Sequence, residues 1–151
     1  DLRLARLGAD PVALKAAKAQ VLKRIETKNW WGWQFLNHAD LYIYLDNDAQ
    51  AEDLVLGASQ CCPYHRGLSR QTLGLIRARQ GRFDEALSLA EESLKDIPEN
   101  LPYPRAMASM VRAFALRARG DSTGSESALS EARALMPGLS PDLLRVWAPR
   151  P

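Results

Sequence analysis

Residues 71–98, QTLGLIRARQGRFDEALSLAEESLKDIP, can fold in few ways other than a helical hairpin. Leu73, Leu75 and Ile76 lead up to Gly81, a short Gly-Arg-Phe-Asp turn follows, and Ala86, Leu87, Ala90, Leu94 and Ile97 recur three and four apart until Pro98. Neither helix is long enough to persist alone in water, and a single hairpin leaves an apolar face uncovered. The unit must stack on others like itself, so the flanking chain should carry copies.

Copies are present on both sides. Upstream, residues 33–45 carry Phe35, Leu36, Ala39, Tyr42 and Ile43, Asp46-Asn47-Asp48 makes a turn, and residues 49–60 present Ala51, Leu54, Val55 and Ala58 before Cys62-Pro63 ends the helix. Downstream, Asn100, Pro102 and Pro104 predict a stiff connector, and residues 105–119 a helix with Met107, Met110, Val111, Phe114 and Leu116. Gly120-Asp121 turns the chain into a second helix over 123–135, weakened at its start by Gly124 and several serines and closed by Met136-Pro137-Gly138. The closing prolines Pro63, Pro98 and Pro137 stand 35 and 39 residues apart, and twelve residues before each lies a small side chain, Ala51, Ala86 or Ser125. Small residues at one register allow two helices to approach closely.

The flanks are less regular. Residues 1–11 read as the end of a helix, with Gly8 and Pro11 closing a hairpin whose front is missing, and the start at Asp1 in place of Met suggests a processed or excised chain. Leu14, Ala17, Val21 and Ile25 mark one face of a following helix, and Asn29 to Gly32 break it. At the far end Ser140 and Pro141 open a short helix with Leu143, Leu144 and Trp147. The expected organisation is N-terminal helices over 1–31, the remnant of a further repeat, then hairpins over 32–66, 67–100 and 101–138, and a capping helix and tail over 139–151.

At this spacing the residues resemble the tetratricopeptide repeat family. Leu73-Gly74, Gly81, Phe83, Ala86, Leu94 and Pro98 match its pattern in the central unit, although Arg77 and Arg70 replace its usual aromatic and tryptophan. Phe35, Ala39, Tyr42, Ala51, Ala58 and Pro63 match upstream, and Ala113, Gly120, Leu129, Ala132 and Pro137 downstream. The resemblance covers roughly residues 32–137. It implies an all-α fold, a right-handed superhelix or α-solenoid of about three hairpins with flanking capping helices. It also implies an inner groove lined by the first helix of each unit, which binds a peptide or a partner helix.

Carried onto this chain, the family's groove positions are Trp33, Leu36, Asp40, Ile43 and Tyr44, then Leu68, Gln71, Leu75 and Arg79, then Met107, Met110, Phe114 and Arg117. Such a groove is mainly apolar and suits an amphipathic helix. The Lys, Asn and Arg set with which some members clamp a C-terminal carboxylate is replaced here by Leu36, Thr72, Met107 and Val111. The occupant is a foreign protein segment or this chain's own N-terminal helix or Leu143-Leu144-Trp147 segment.

With 151 residues, 46% hydrophobic and 25% charged, the chain can bury a real core, and a net charge of +2 does not by itself point to nucleic acid or an anionic membrane. No apolar run approaches a membrane span, so direct insertion is not expected. Charge is segregated: residues 29–65 contain no Lys or Arg, whereas Arg66, Arg70, Arg77, Arg79, Arg82, Arg105, Arg112, Arg117 and Arg119 crowd the next stretch. That pattern could steer a bipolar partner or self-association, or the arginines could pair with acidic residues of adjacent helices. The dense aromatics lie in the acidic part, which argues against nucleic-acid binding.

Chemistry is sparse. Cys61, Cys62, His65 and His38 lack the paired spacing of zinc modules, and Asp46-x-Asp48 lacks the glycine and closing glutamate of a calcium loop. No phosphate loop, activated nucleophile or HExxH occurs, so neither an enzyme nor a cofactor site is expected. Trp30, Trp31, Trp33 and Phe35 form a cluster that either packs the junction with the first hairpin or contacts a glycan. The chain is expected to be a non-enzymatic interaction or scaffold module. The alternative is a C-terminal accessory domain of a larger bacterial enzyme or membrane protein, since similar repeats trail some cyclases, transcriptional activators and O-antigen polymerases or oligosaccharyltransferases.

Overall fold

The computed structural model describes residues 39–40, 42–61, 66–140 and 142–148 together with Val12, Ala16 and Ala19, with residues 58–61 as backbone only. Among the described residues every regular element is helical. They are α1 (Asp48–Cys61), α2 (Arg66–Arg79), α3 (Phe83–Asp96), α4 (Pro102–Ala118), α5 (Ser122–Leu135) and α6 (Leu143–Trp147), and residues 42–44 are helical ahead of α1. Each of α1 to α4 packs on the next in sequence, and α2 also touches α4.

Three turns are built alike. Asp46, Gly81 and Gly120 all have positive φ, at 60°, 78° and 84°. The N–H of the residue after each reaches back five positions, Asn47 to the Tyr42 carbonyl at 2.9 Å, Arg82 to Arg77 at 2.9 Å and Asp121 to Leu116 at 3.0 Å. The turn residue itself donates three positions back, Asp46 to Ile43, Gly81 to Ala78 and Gly120 to Arg117. This pair of bonds is the Schellman helix stop, which satisfies the last carbonyls of a helix by sending one residue into the left-handed region. Positions 46, 81 and 120 have the same separations as the closing prolines. Glycine adopts this conformation without a steric penalty, whereas a residue with a Cβ loses about 1 kcal/mol or more. Asp46 therefore fills a glycine position, which a search for Gly alone does not find.

The small-residue register is also explained. A Cβ placed on Gly74 would stand 3.3 Å from the Ala86 carbonyl oxygen and 3.3 Å from Val111 Cγ1, so glycine lets α2 lie closer to α3 and α4 than a side chain would without a shift of its neighbours. One unit later, Ser125 takes the place of Ala86 and Ala113 that of Gly74. The Ser125 Oγ donates to the Ala113 carbonyl at 3.0 Å, which lets a hydroxyl be buried without cost from an unmade bond. Ala51 and Ala86 are fully buried.

Two expectations change in detail. The connector before α4 is shorter than the prolines suggest, because Pro102 starts the helix instead of preceding it. A first-turn residue has no intrahelical use for its N–H, so proline fits there. Gly124, which lowers helix propensity at the start of α5, is where the cap forms: its N–H donates to Asp121 Oδ1 at 2.8 Å, and a Cβ would overlap the Asp121 carboxylate.

One main core runs through the stack, from Ile43, Val55 and Ile76 to Met110, Val111 and Leu129. Leu143, Leu144, Val146 and Trp147 of α6 belong to the same core. No described helix is long and apolar enough to cross a membrane.

Candidate functional site

Arg79, at the end of α2, has the most unusual surroundings among the candidate groove residues. Its side chain is 1% exposed. Nε donates to Asp48 Oδ1 at 2.8 Å, Nη2 to Asp46 Oδ1 at 3.0 Å, and Nη1 to the Trp147 carbonyl oxygen. A planar guanidinium has the fixed fork needed to bind three acceptors at once. Arg79 thus joins the first turn, α2 and the end of α6, residues far apart in sequence. The residue is structural in this arrangement and presents no cation to solvent.

The other predicted groove residues divide along the same line. Tyr44, Leu75, Met107 and Met110 are buried in the core that includes α6, and Gln71 is 9% exposed. Asp40 and Phe114 are half-buried, and Arg117 is exposed. Trp33 and Leu36 lie outside the described residues, as do the Trp30, Trp31 and Phe35 of the aromatic cluster and Cys62, His65 and His38. Leu75, Met107 and Met110, being buried, are therefore not open to a partner segment.

An open cavity lies between the C-terminal half of α4 and α6. Phe114, Arg117 and Ala118, three and four apart on α4, face Leu144, Arg145 and Ala148 across a cavity of about 270 Å³. The walls are apolar and the two arginines stand among them. Sequence periodicity marks Phe114 and Arg117, but it has no means of identifying Ala118 or Ala148, whose role comes only from the approach of α6. The volume lies just below the roughly 300 Å³ at which small-molecule sites begin, and suits one large side chain of a protein partner.

A comparison with family models, curated proteins and solved structures returned no match.

The electrostatics around the groove are set by pairing. Arg66 meets Asp96 at 3.1 Å, Arg70 meets Glu92 at 3.2 Å, Arg82 meets Glu85 at 2.6 Å, Arg112 meets Glu131 at 2.7 Å and Arg119 meets Asp84 at 2.7 Å. Arg105 donates to the carbonyls of Leu94 and Ile97, both at 2.8 Å. Arg77 donates to Glu52 Oε2 at 2.7 Å. The arginine-rich stretch is therefore largely neutralised within the fold. Arg117 is the exception: among the described residues its guanidinium has no hydrogen-bond or ion-pair partner.

The Glu52–Arg77 pair, linking α1 to α2, carries the resolved titration effects. The Arg77 hydrogen bond holds the Glu52 carboxyl below its ordinary value of about 4.5, against the opposing effect of burial. A depressed folded pKa means that the unfolded chain takes up the proton first. The contribution is therefore full above about pH 4.5 and is lost as pH falls through the lower folded value. Glu52→Gln is expected to cost about 1 kcal/mol at pH 7. Urea unfolding measured from pH 7 to pH 3 should show the difference from wild type closing below the ordinary carboxylate range. A pH-independent difference would contradict the assignment.

Proposed function

We propose that this chain is a non-enzymatic interaction module of the tetratricopeptide-like kind, about three hairpins stacked as a right-handed superhelix, and that it docks a segment of a partner protein in the groove between α4 and α6. Repetition supports the architecture: three Schellman turns share the separations of three closing prolines, and Gly74 with Ala86 recurs as Ala113 with Ser125. One observation carries the docking reading. The cavity bounded by Phe114, Ala118, Leu144 and Ala148 is apolar and open, whereas Leu75, Met107 and Met110 are buried. Helix-binding proteins place one or two anchor side chains in pockets of this size and chemistry.

Plugging the groove tests this. Ala118 is exposed on the groove wall, so Ala118→Trp fills the space without disturbing the core. Screened against a pool of amphipathic helical peptides, wild type should retain binders that the plugged variant binds at least tenfold more weakly, with both proteins melting together. Equal binding by the two, or no binder for wild type, would place docking elsewhere.

A further inference from the structure

The geometry points to a specific partner chemistry for this groove: an acidic amphipathic helix whose apolar anchor enters between Phe114 and Leu144 while a carboxylate one turn away pairs with Arg117. The inference rests on the docking reading above and adds the partner's charge. Three observations carry it. Arg105, Arg112 and Arg119, the other arginines on or just after α4, all have acceptors, from 2.7 to 2.8 Å away, backbone carbonyls for Arg105 and carboxylates for the other two, so this surface supplies acceptors where it uses arginine structurally. Arg117 lacks one among the described residues and stands in the wall of the cavity. The second arginine there, Arg145, is held among the described residues by Asp142 at 3.3 Å, with the two side chains 68% and 50% exposed, a contact weak enough to be exchanged.

A cation beside an apolar cavity selects for an anion next to a hydrophobe. Positions three and four apart on a helix lie on one face, so an anchor and a glutamate at that spacing reach the cavity and Arg117 together. A basic segment would bring like charges together, and a neutral one would leave Arg117 solvated and contribute only its anchor. The surrounding pairs are already satisfied, so the effect should be local and not that of a general basic surface.

The test uses three matched helical peptides, each with a leucine anchor and with glutamate, glutamine or lysine three and four positions to either side. Fluorescence anisotropy on the full chain should rank them glutamate, glutamine, lysine. The glutamate peptide should bind roughly three- to tenfold tighter than the glutamine peptide at low salt, with the gap narrowing as salt rises. Arg117→Gln should bring the glutamate peptide to the glutamine affinity, and Arg117→Glu should invert the ranking. Arg117 is exposed, so neither variant should alter melting.

Equal affinities for the glutamate and glutamine peptides would overturn the inference and leave the docking reading intact. Failure of all three peptides to bind would remove both. A ranking that survives Arg117→Gln would show that Arg117 is not the anion reader. Two other occupants also overturn it: a second copy, if wild type forms a dimer that Arg117→Glu dissociates, and an anionic lipid, if dodecanoate binds where no peptide does.

Discussion

Trp147→Ala is expected to lower the free energy of unfolding by about 3–5 kcal/mol. Trp147 is 2% exposed although it lies on a helix of five residues. A helix that short has no stability of its own, so α6 exists because Leu143, Leu144, Val146 and Trp147 are buried against the rest of the chain. A domain of this size is stable by roughly 5–15 kcal/mol, which makes the loss a large part of the whole. Equilibrium urea unfolding would measure it. Arg145→Ala on the same helix, at a side chain 68% exposed, is the control and should stay within about 0.5 kcal/mol of wild type. An unchanged midpoint for Trp147→Ala would mean that α6 is a peripheral tail.

Arg79→Met should cost about 2–4 kcal/mol. Methionine keeps the length and apolar contacts of the stem and removes the fork. The hydrogen bonds to the Asp46 and Asp48 carboxylates and to the Trp147 carbonyl are then lost. The carboxylates are 26% and 21% exposed, so water can recover part of the loss, which keeps the effect below that of breaking a fully buried pair. Arg79→Lys should recover less than half, because a single ammonium cannot meet three acceptors in one plane. Both Arg79→Met and Trp147→Ala act on how α6 is held. The double variant should therefore lose less than the sum of the two. Strict additivity would show that Arg79 stabilises the first turn alone.

The recurrence of helical hairpins was legible because its signals are local. A 3.6-residue apolar period, a proline that cannot continue a helix and a glycine that can turn left-handed act within a few residues of themselves. Prolines and small residues therefore marked the units before any contact was known. Asp46 was harder to read, since aspartate reaches the left-handed region less often than glycine and its role shows only in the bonds around it.

The candidate site was legible only in part. Leu75, Met107 and Met110 recur on the apolar sides of their helices and are buried, but periodicity cannot distinguish a face that waits for a partner from one covered within the fold. Both look the same in sequence because both are apolar. The nine arginines posed a similar ambiguity, and distance resolved it: a guanidinium within about 3 Å of a carboxylate or a backbone carbonyl is structural, and Arg117, with no such neighbour among the described residues, stands apart.

The amino-acid sequence by itself determined that this protein is built of helices and where its repeating turns fall, because propensity and capping depend on neighbours in the chain. Tertiary structure alone decided which surface remains available. The bond from Arg79 to Trp147 spans 68 residues and leaves no periodic trace, yet it accompanies the packing of α6 into the core beside the narrow apolar groove at Arg117. Long-range burial, not local preference, makes that choice, since the free energy of placing α6 comes from apolar surface contributed by several helices at once.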